Sequence, residues 1–109
     1  MDANRREIRH YIHNGRDVIA GWLQNLRDNA GRGKILDRID RLADGNLGDH
    51  RWVGGGVCEL RVHFGPGYRV YFGEDGTRLV VLICGGSKDS QAADIDLAQR
   101  FWAEFRRSK

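Results

Sequence analysis

The chain has 109 residues, enough for one domain with a single core, and it reads as one domain over 1–109. Hydrophobic residues make up 40% and charged residues 30%, with no apolar run approaching the ~18 residues of a membrane span. The net charge of +3 permits an anionic partner such as nucleic acid without demanding one. Two cysteines, Cys58 and Cys84, stand in neither metal-type nor redox-type spacing and read as buried thiols in a reducing compartment.

The run Met1-Asp2-Ala3-Asn4-Arg5-Arg6 is charged and leads into no hydrophobic signal core, so a cytoplasmic location without membrane association is expected. Asn4 to Ile12 reads as a first strand, with Ile8 and Ile12 set among polar residues. From Arg16 to Asp28, Val18, Ile19, Trp22, Leu23 and Leu26 fall at helical spacing, and Gly31 and Gly33 then break the pattern. A second helix is expected from Lys34 to Asp44, with Ile35, Leu36, Ile39, Leu42 and Ala43 on one side. Its other side carries Asp37 and Arg41 as a surface pair, and Gly45 takes the place of a C-cap glycine. The two helices make an αα-hairpin.

After Gly48 the period changes to two. Cys58, Leu60, Val62 and Phe64 alternate with Glu59, Arg61 and His63. Gly65-Pro66-Gly67 turns the chain, and Tyr68, Val70 and Phe72 then alternate with Arg69 and Tyr71. Asp75-Gly76 is a hairpin signal, and Leu79 to Cys84 is a continuous apolar run, as expected of a strand covered on both faces. These three strands form an antiparallel meander. Gly85 to Ser90 reads as a polar loop ending in the N-cap Ser90 of a last helix, whose buried stripe is Ile95, Ala98, Phe101, Trp102 and Phe105. The order β-αα-βββ-α gives an α+β fold: a small antiparallel sheet with an N-terminal helical hairpin and a C-terminal helix.

Strand parity puts Glu59, Arg61 and His63 on one face, with Arg69 and Tyr71 on the neighbouring strand and Lys88 in the loop beside them. The ordinary alternative is a solvated outer face of a half-exposed sheet. Arginines in mid-strand and a mobile lysine after Gly85-Gly86 suit phosphate binding better, Arg as a planar fork and Lys as a point charge. The spacing is not that of a nucleotide-binding phosphate loop. No His, Cys, Asp or Glu spacing suggests a metal, and no cofactor is implied; neither cysteine lies on the polar face, and Ser87 and Ser90 have no evident base. Trp22 and Trp102 read as core. Trp52, preceding Gly54-Gly55-Gly56, is with Arg51 a candidate for contacting nucleic acid.

Several segments in register carry a resemblance: Gly45-Asn46-Leu47-Gly48-Asp49, Gly56-Val57-Cys58-Glu59-Leu60-Arg61, Gly65-Pro66-Gly67-Tyr68-Arg69-Val70-Tyr71-Phe72, Gly85-Gly86-Ser87-Lys88-Asp89-Ser90-Gln91 and Asp94-Ile95. In this order they resemble the addiction-module killer proteins, the HigB-like branch of the RelE/ParE toxin superfamily. The resemblance implies a RelE-like fold, and a type II toxin neutralised by a helix-turn-helix, HigA-like antitoxin. Through that antitoxin alone it would reach operator DNA. RelE-like relatives are ribosome-dependent mRNA endonucleases that need no metal: the 2′-OH attacks its phosphate and leaves a 2′,3′-cyclic phosphate.

Arg61 and Arg69 fall where such relatives carry catalytic arginines, and Lys88 where another catalytic basic or aromatic residue stands. His63 or Glu59 is the candidate base, and Tyr71 would position or stack on a base. No histidine occupies the loop position that some relatives use, which leaves acid and base open. Two other functions stay in view: a ParE-like inhibitor of DNA gyrase, and a degenerate toxin that only binds its antitoxin as co-repressor.

Overall fold

A computed structural model describes residues 5–109. Part of the charged run Met1–Arg6, and Asn4 of the expected first strand, lie outside the described residues. Three helices pack on the two faces of a five-stranded mixed sheet. The strands are β1 (Glu7–His10), β4 (His50–Trp52), β5 (Val57–Val62), β6 (Tyr68–Asp75) and β7 (Leu79–Ser87), in the order β1-β7-β6-β5-β4. A separate small ladder joins β2 (Ile12–His13) to β3 (Arg16–Asp17). The helices are α1 (Val18–Asn25), α2 (Asn29–Ala43) and α3 (Gln91–Arg107), the last preceded by a 3₁₀ turn over Lys88–Ser90.

The sheet is therefore not wholly antiparallel. The expected meander β5-β6-β7 is present, but β1 lies parallel to β7, with Glu7 opposite Leu79 and His10 opposite Leu82. The chain leaves this edge strand and returns alongside it only at β7, after the long connection that parallel pairing requires. The expected first strand also ends early: β2 leaves the main sheet and folds back on β3 through Asn14 (φ 49°) and Gly15 (φ 78°). Both residues sit in the left-handed region that a two-residue hairpin turn needs.

Both faces of the sheet are buried, each by its own helices. Ile19 of α1 and Ile35 and Leu42 of α2 pack on Cys58, Leu60, Val70, Phe72, Val80 and Leu82. On the opposite face Ala98, Phe101 and Trp102 of α3 pack on Val57, Tyr71, Val81, Ile83 and Cys84. This accounts for the unbroken apolar run of β7, which has no solvent face to alternate toward.

Local signals explain the shifted helix boundaries. Arg16 and Asp17 belong to β3, so α1 starts at Val18, capped by the Asp17 carboxylate accepting from the Ala20 N–H (3.0 Å). Asp28 caps α2 in the same way through the Gly31 N–H (2.8 Å), so Gly31 and Gly33 lie within the helix rather than breaking it. Tyr68 donates to the other Asp28 oxygen (2.8 Å) and lies against Gly31, where a Cβ would stand 2.6 Å from the ring. Asp37 and Arg41 make no ion pair with each other; Asp44 and Asp40 instead hold Arg5.

Gly85 and Gly86 are strand residues, not a loop. Gly85 makes room for the Trp22 ring on one face and Gly86 for the Asp94 carboxylate on the other. Ser90 precedes α3 but makes no backbone cap bond; its hydroxyl donates to Asp94 (2.5 Å). Among the described residues no helix is long and apolar enough to cross a membrane.

Candidate functional site

The register of β5 and β6 sets Arg61 opposite Arg69 and Glu59 opposite Tyr71, with all four side chains on the α3 side of the sheet. This side is not the solvated face that parity alone suggests. Glu59 is fully buried, and α3 supplies one of its partners. Its Oε2 accepts from Gln91 Nε2 (2.8 Å) and the Tyr71 hydroxyl (3.0 Å), and its Oε1 from Arg61 Nε (3.0 Å). Arg69 Nε lies 3.5 Å from Oε2 as an ion pair without a hydrogen bond.

Burial alone would raise the Glu59 pKa, but the bonds from Gln91, Arg61 and Tyr71 and the charge of Arg69 hold it below the usual carboxylate range. An ionised carboxylate with both oxygens engaged is a poor proton acceptor. Glu59 thus serves as the counter-ion that orients two arginines, not as the base. Tyr71 is likewise buried, and burial followed by the Glu59 charge pushes its hydroxyl well above the ordinary phenol value. It cannot stack on an incoming base.

The arginines reach outward from this anchor. Arg61 keeps 27% of its side chain exposed and Arg69 12%, and Arg69 Nη1 also donates to the Gly67 carbonyl (3.2 Å). The Lys88 N–H donates to the same carbonyl (2.8 Å), fastening the start of the 3₁₀ turn to the Gly65-Pro66-Gly67 turn. Gly65 (φ 57°) and Gly67 (φ 82°) give that turn its left-handed positions. Arg61, His63, Arg69 and Lys88 line one open cavity of about 460 Å³ around it. Three basic side chains thus face a space behind which lies the carboxylate that Arg61 and Arg69 share.

His63 stands at the rim, largely exposed, with Nε2 bonded to the Asp49 carboxylate. That bond lowers the Asp49 pKa; burial opposes it, and the charges of His63, Arg61 and Arg38 add to the lowering. The pairing engages Nε2 and leaves Nδ1 of His63 without a hydrogen bond among the described residues. Asp49 stands in the segment Gly45–Asp49 without an assigned role in the sequence reading, because nothing local ties it to a histidine fourteen residues on. Gln91 is a second partner that parity cannot reveal, since it belongs to the helix covering the face.

Trp52 and Arg51 do not join this cavity. Trp52 is half exposed on the edge strand β4 and lines a separate cavity of about 590 Å³ with Trp102 and Phe105. Arg51 is exposed in register with Glu59 but does not line the cavity. Both cysteines are free and buried; burial pushes Cys58 up to about 11 and Cys84 up to about 12, so neither is a thiolate nucleophile. Among the described residues no group of three His, Cys, Asp or Glu side chains is placed to hold a metal ion.

The arrangement suits an oxyanion with several charged oxygens, held by two planar forks and a point charge with an imidazole alongside. No family model matches the chain. An uncharacterized protein of Haemophilus influenzae (strain Rd) is 45% identical to it over 78 residues, covering 72% of this chain and 79% of that protein.

Proposed function

The chain belongs to the family of that uncharacterized H. influenzae protein, and from its site we propose a HigB-like toxin of the RelE/ParE superfamily that cleaves mRNA on the ribosome. The observation that carries this reading is the pairing of Arg61 with Arg69 over one buried carboxylate, with Lys88 beside them. The surplus of positive charge in an open cavity is matched by a phosphodiester. The layered arrangement, a small sheet between helices, is consistent with a RelE-like fold.

In this reading Arg61 and Arg69 bind the non-bridging phosphoryl oxygens and stabilise the charge that grows on them. His63 Nδ1 accepts the 2′-OH proton while Asp49 orients the ring. The 2′-oxygen bonds to phosphorus, the bond to the 5′-oxygen breaks, and Lys88 protonates that leaving oxygen. The products are a 2′,3′-cyclic phosphate and a 5′-hydroxyl. Partners are mRNA, the ribosome and a helix-turn-helix antitoxin that alone contacts operator DNA, all in the cytoplasm.

Induction of the chain in bacteria, with mapping of mRNA 5′ ends alongside DNA-damage signalling, tests the proposal. Cleavage within translated codons is expected. Intact mRNA with a gyrase-type damage response would replace it with gyrase inhibition, and neither response would leave an antitoxin-binding co-repressor.

A further inference from the structure

A second cavity, of about 380 Å³, shares Arg61, Val62, His63 and Phe64 with the first, so the two grooves meet at the end of β5. Its far wall is α2, which contributes Lys34, Arg38 and Arg41. Spacings of four and three residues place these cations on one helical face, where like charges repel one another. Among the described residues no carboxylate pairs with any of the three.

Arg38 shows most clearly that positive charge is left over. It is 8% exposed, yet its guanidinium is held only by carbonyl oxygens: Leu47 (2.8 Å), Asp49 (3.1 Å) and Arg61 (3.2 Å). Carbonyls engage Nε and Nη2 without cancelling the charge. Burial and then the neighbouring charge of Arg41 lower its pKa, with Asp49 opposing only in part. The Asp49 carboxylate is already engaged by His63. Lys34 extends over Phe64, 6.0 Å from the ring centroid, so an aromatic ring borders the same groove.

We propose that Lys34, Arg38 and Arg41 form a second phosphate site that holds single-stranded RNA flanking the bond cut at Arg61 and Arg69. The inference rests on the first cavity being where RNA is cleaved. An acidic peptide would also meet the cations, but continuity with a phosphate-type cluster through Arg61, and the Phe64 ring, favour nucleic acid. The strand enters past α2, crosses Arg61 and ends its bound length at Lys88.

The test uses fully 2′-O-methylated oligonucleotides, which cannot be cut, of three and nine nucleotides, in anisotropy titrations across a salt series. Lys34→Gln/Arg41→Gln changes two exposed side chains and leaves buried Arg38 in place. For the nine-mer, the slope of log affinity against log salt should shrink by about 1.4, from about 0.7 per phosphate contact on each of two side chains. The trimer should bind the variant as it binds the wild type. An unchanged nine-mer slope overturns the second site and leaves the first cavity's reading standing. A wild-type protein that binds neither oligonucleotide overturns both. An unchanged RNA slope with lost affinity for a polyglutamate peptide assigns the α2 face to an acidic partner instead.

Discussion

Arg61 and Arg69 stand directly across from each other on adjacent strands and direct their Nε atoms at opposite oxygens of the same buried carboxylate. Like charges in directly opposed positions normally destabilise a sheet. One Glu59 offsets one of them, and the pair remains a cation in search of an anion.

Arg69→Ala should therefore abolish growth arrest while the protein still folds. It leaves Glu59 and Arg61 as a one-to-one pair, so the loss of a side chain is balanced by relief of repulsion. We expect stability within about 1 kcal/mol of wild type, a few degrees in Tm for a domain of this size. Parity alone would ascribe that tolerance to solvent exposure; the neutralised pair is the better reason, since the side chain is only 12% exposed. Full toxicity in this variant would remove Arg69 from the mechanism.

Glu59→Gln removes the counter-ion and leaves both guanidinium groups without it. Breaking a buried pair in this way costs about 3–5 kcal/mol, measurable by urea unfolding at neutral pH. The acid limb follows from the same group. Folding holds the Glu59 pKa below its unfolded value, so its contribution is full above the ordinary carboxylate pKa and drains away as pH falls through the folded one. The glutamine variant should show a flatter loss of stability over that interval; an equally steep one would show that other carboxylates carry it.

His63→Gln should lower single-turnover RNA cleavage by about 10²–10⁴-fold while RNA affinity stays near wild type. Asp49→Asn, which only orients the ring, should cost less. Equal rates in wild type and the glutamine variant would leave the 2′-OH proton to another acceptor.

Tyr71→Phe deletes one hydrogen bond to a buried charge, which should cost about 1.5–3 kcal/mol. Cleavage by the folded fraction should be unaffected. A variant of normal stability that binds RNA poorly would give the Tyr71 hydroxyl a contact with RNA that burial rules out.

Two glycines in α2 should respond to alanine with opposite signs. At Gly33 a Cβ meets nothing within 4 Å, so Gly33→Ala should stabilise by up to about 1 kcal/mol. At Gly31 it would meet Asp28 and the Tyr68 ring, so Gly31→Ala should destabilise by about 1–3 kcal/mol. Thermal melts of the pair decide the matter.

The alternation along β5 and β6 was enough to group Glu59, Arg61, Arg69 and Tyr71 on one face, because side-chain parity is a local property of strands. It could not say what covers that face. Glu59 and Tyr71 are buried by α3, whose docking side depends on the whole chain, so a counter-ion looked like a base and a core phenol like a stacking platform. Asn14-Gly15 carries a strong local hairpin signal, but its arms have two residues each and are too short to show a period. Gly85-Gly86 resembles a loop until Trp22 and Asp94 are seen filling the space above and below it.

The parallel pairing of β1 with β7 has a consequence for synthesis. The first strand, Glu7–His10, finds its partner only at Leu79–Leu82, near the far end of the chain. Contacts so remote in sequence form slowly and cannot form before the second strand has been made. Lys88 and Gln91 emerge later still, after that partner strand. The cation cluster of a growing chain is therefore incomplete until the start of α3 has been made.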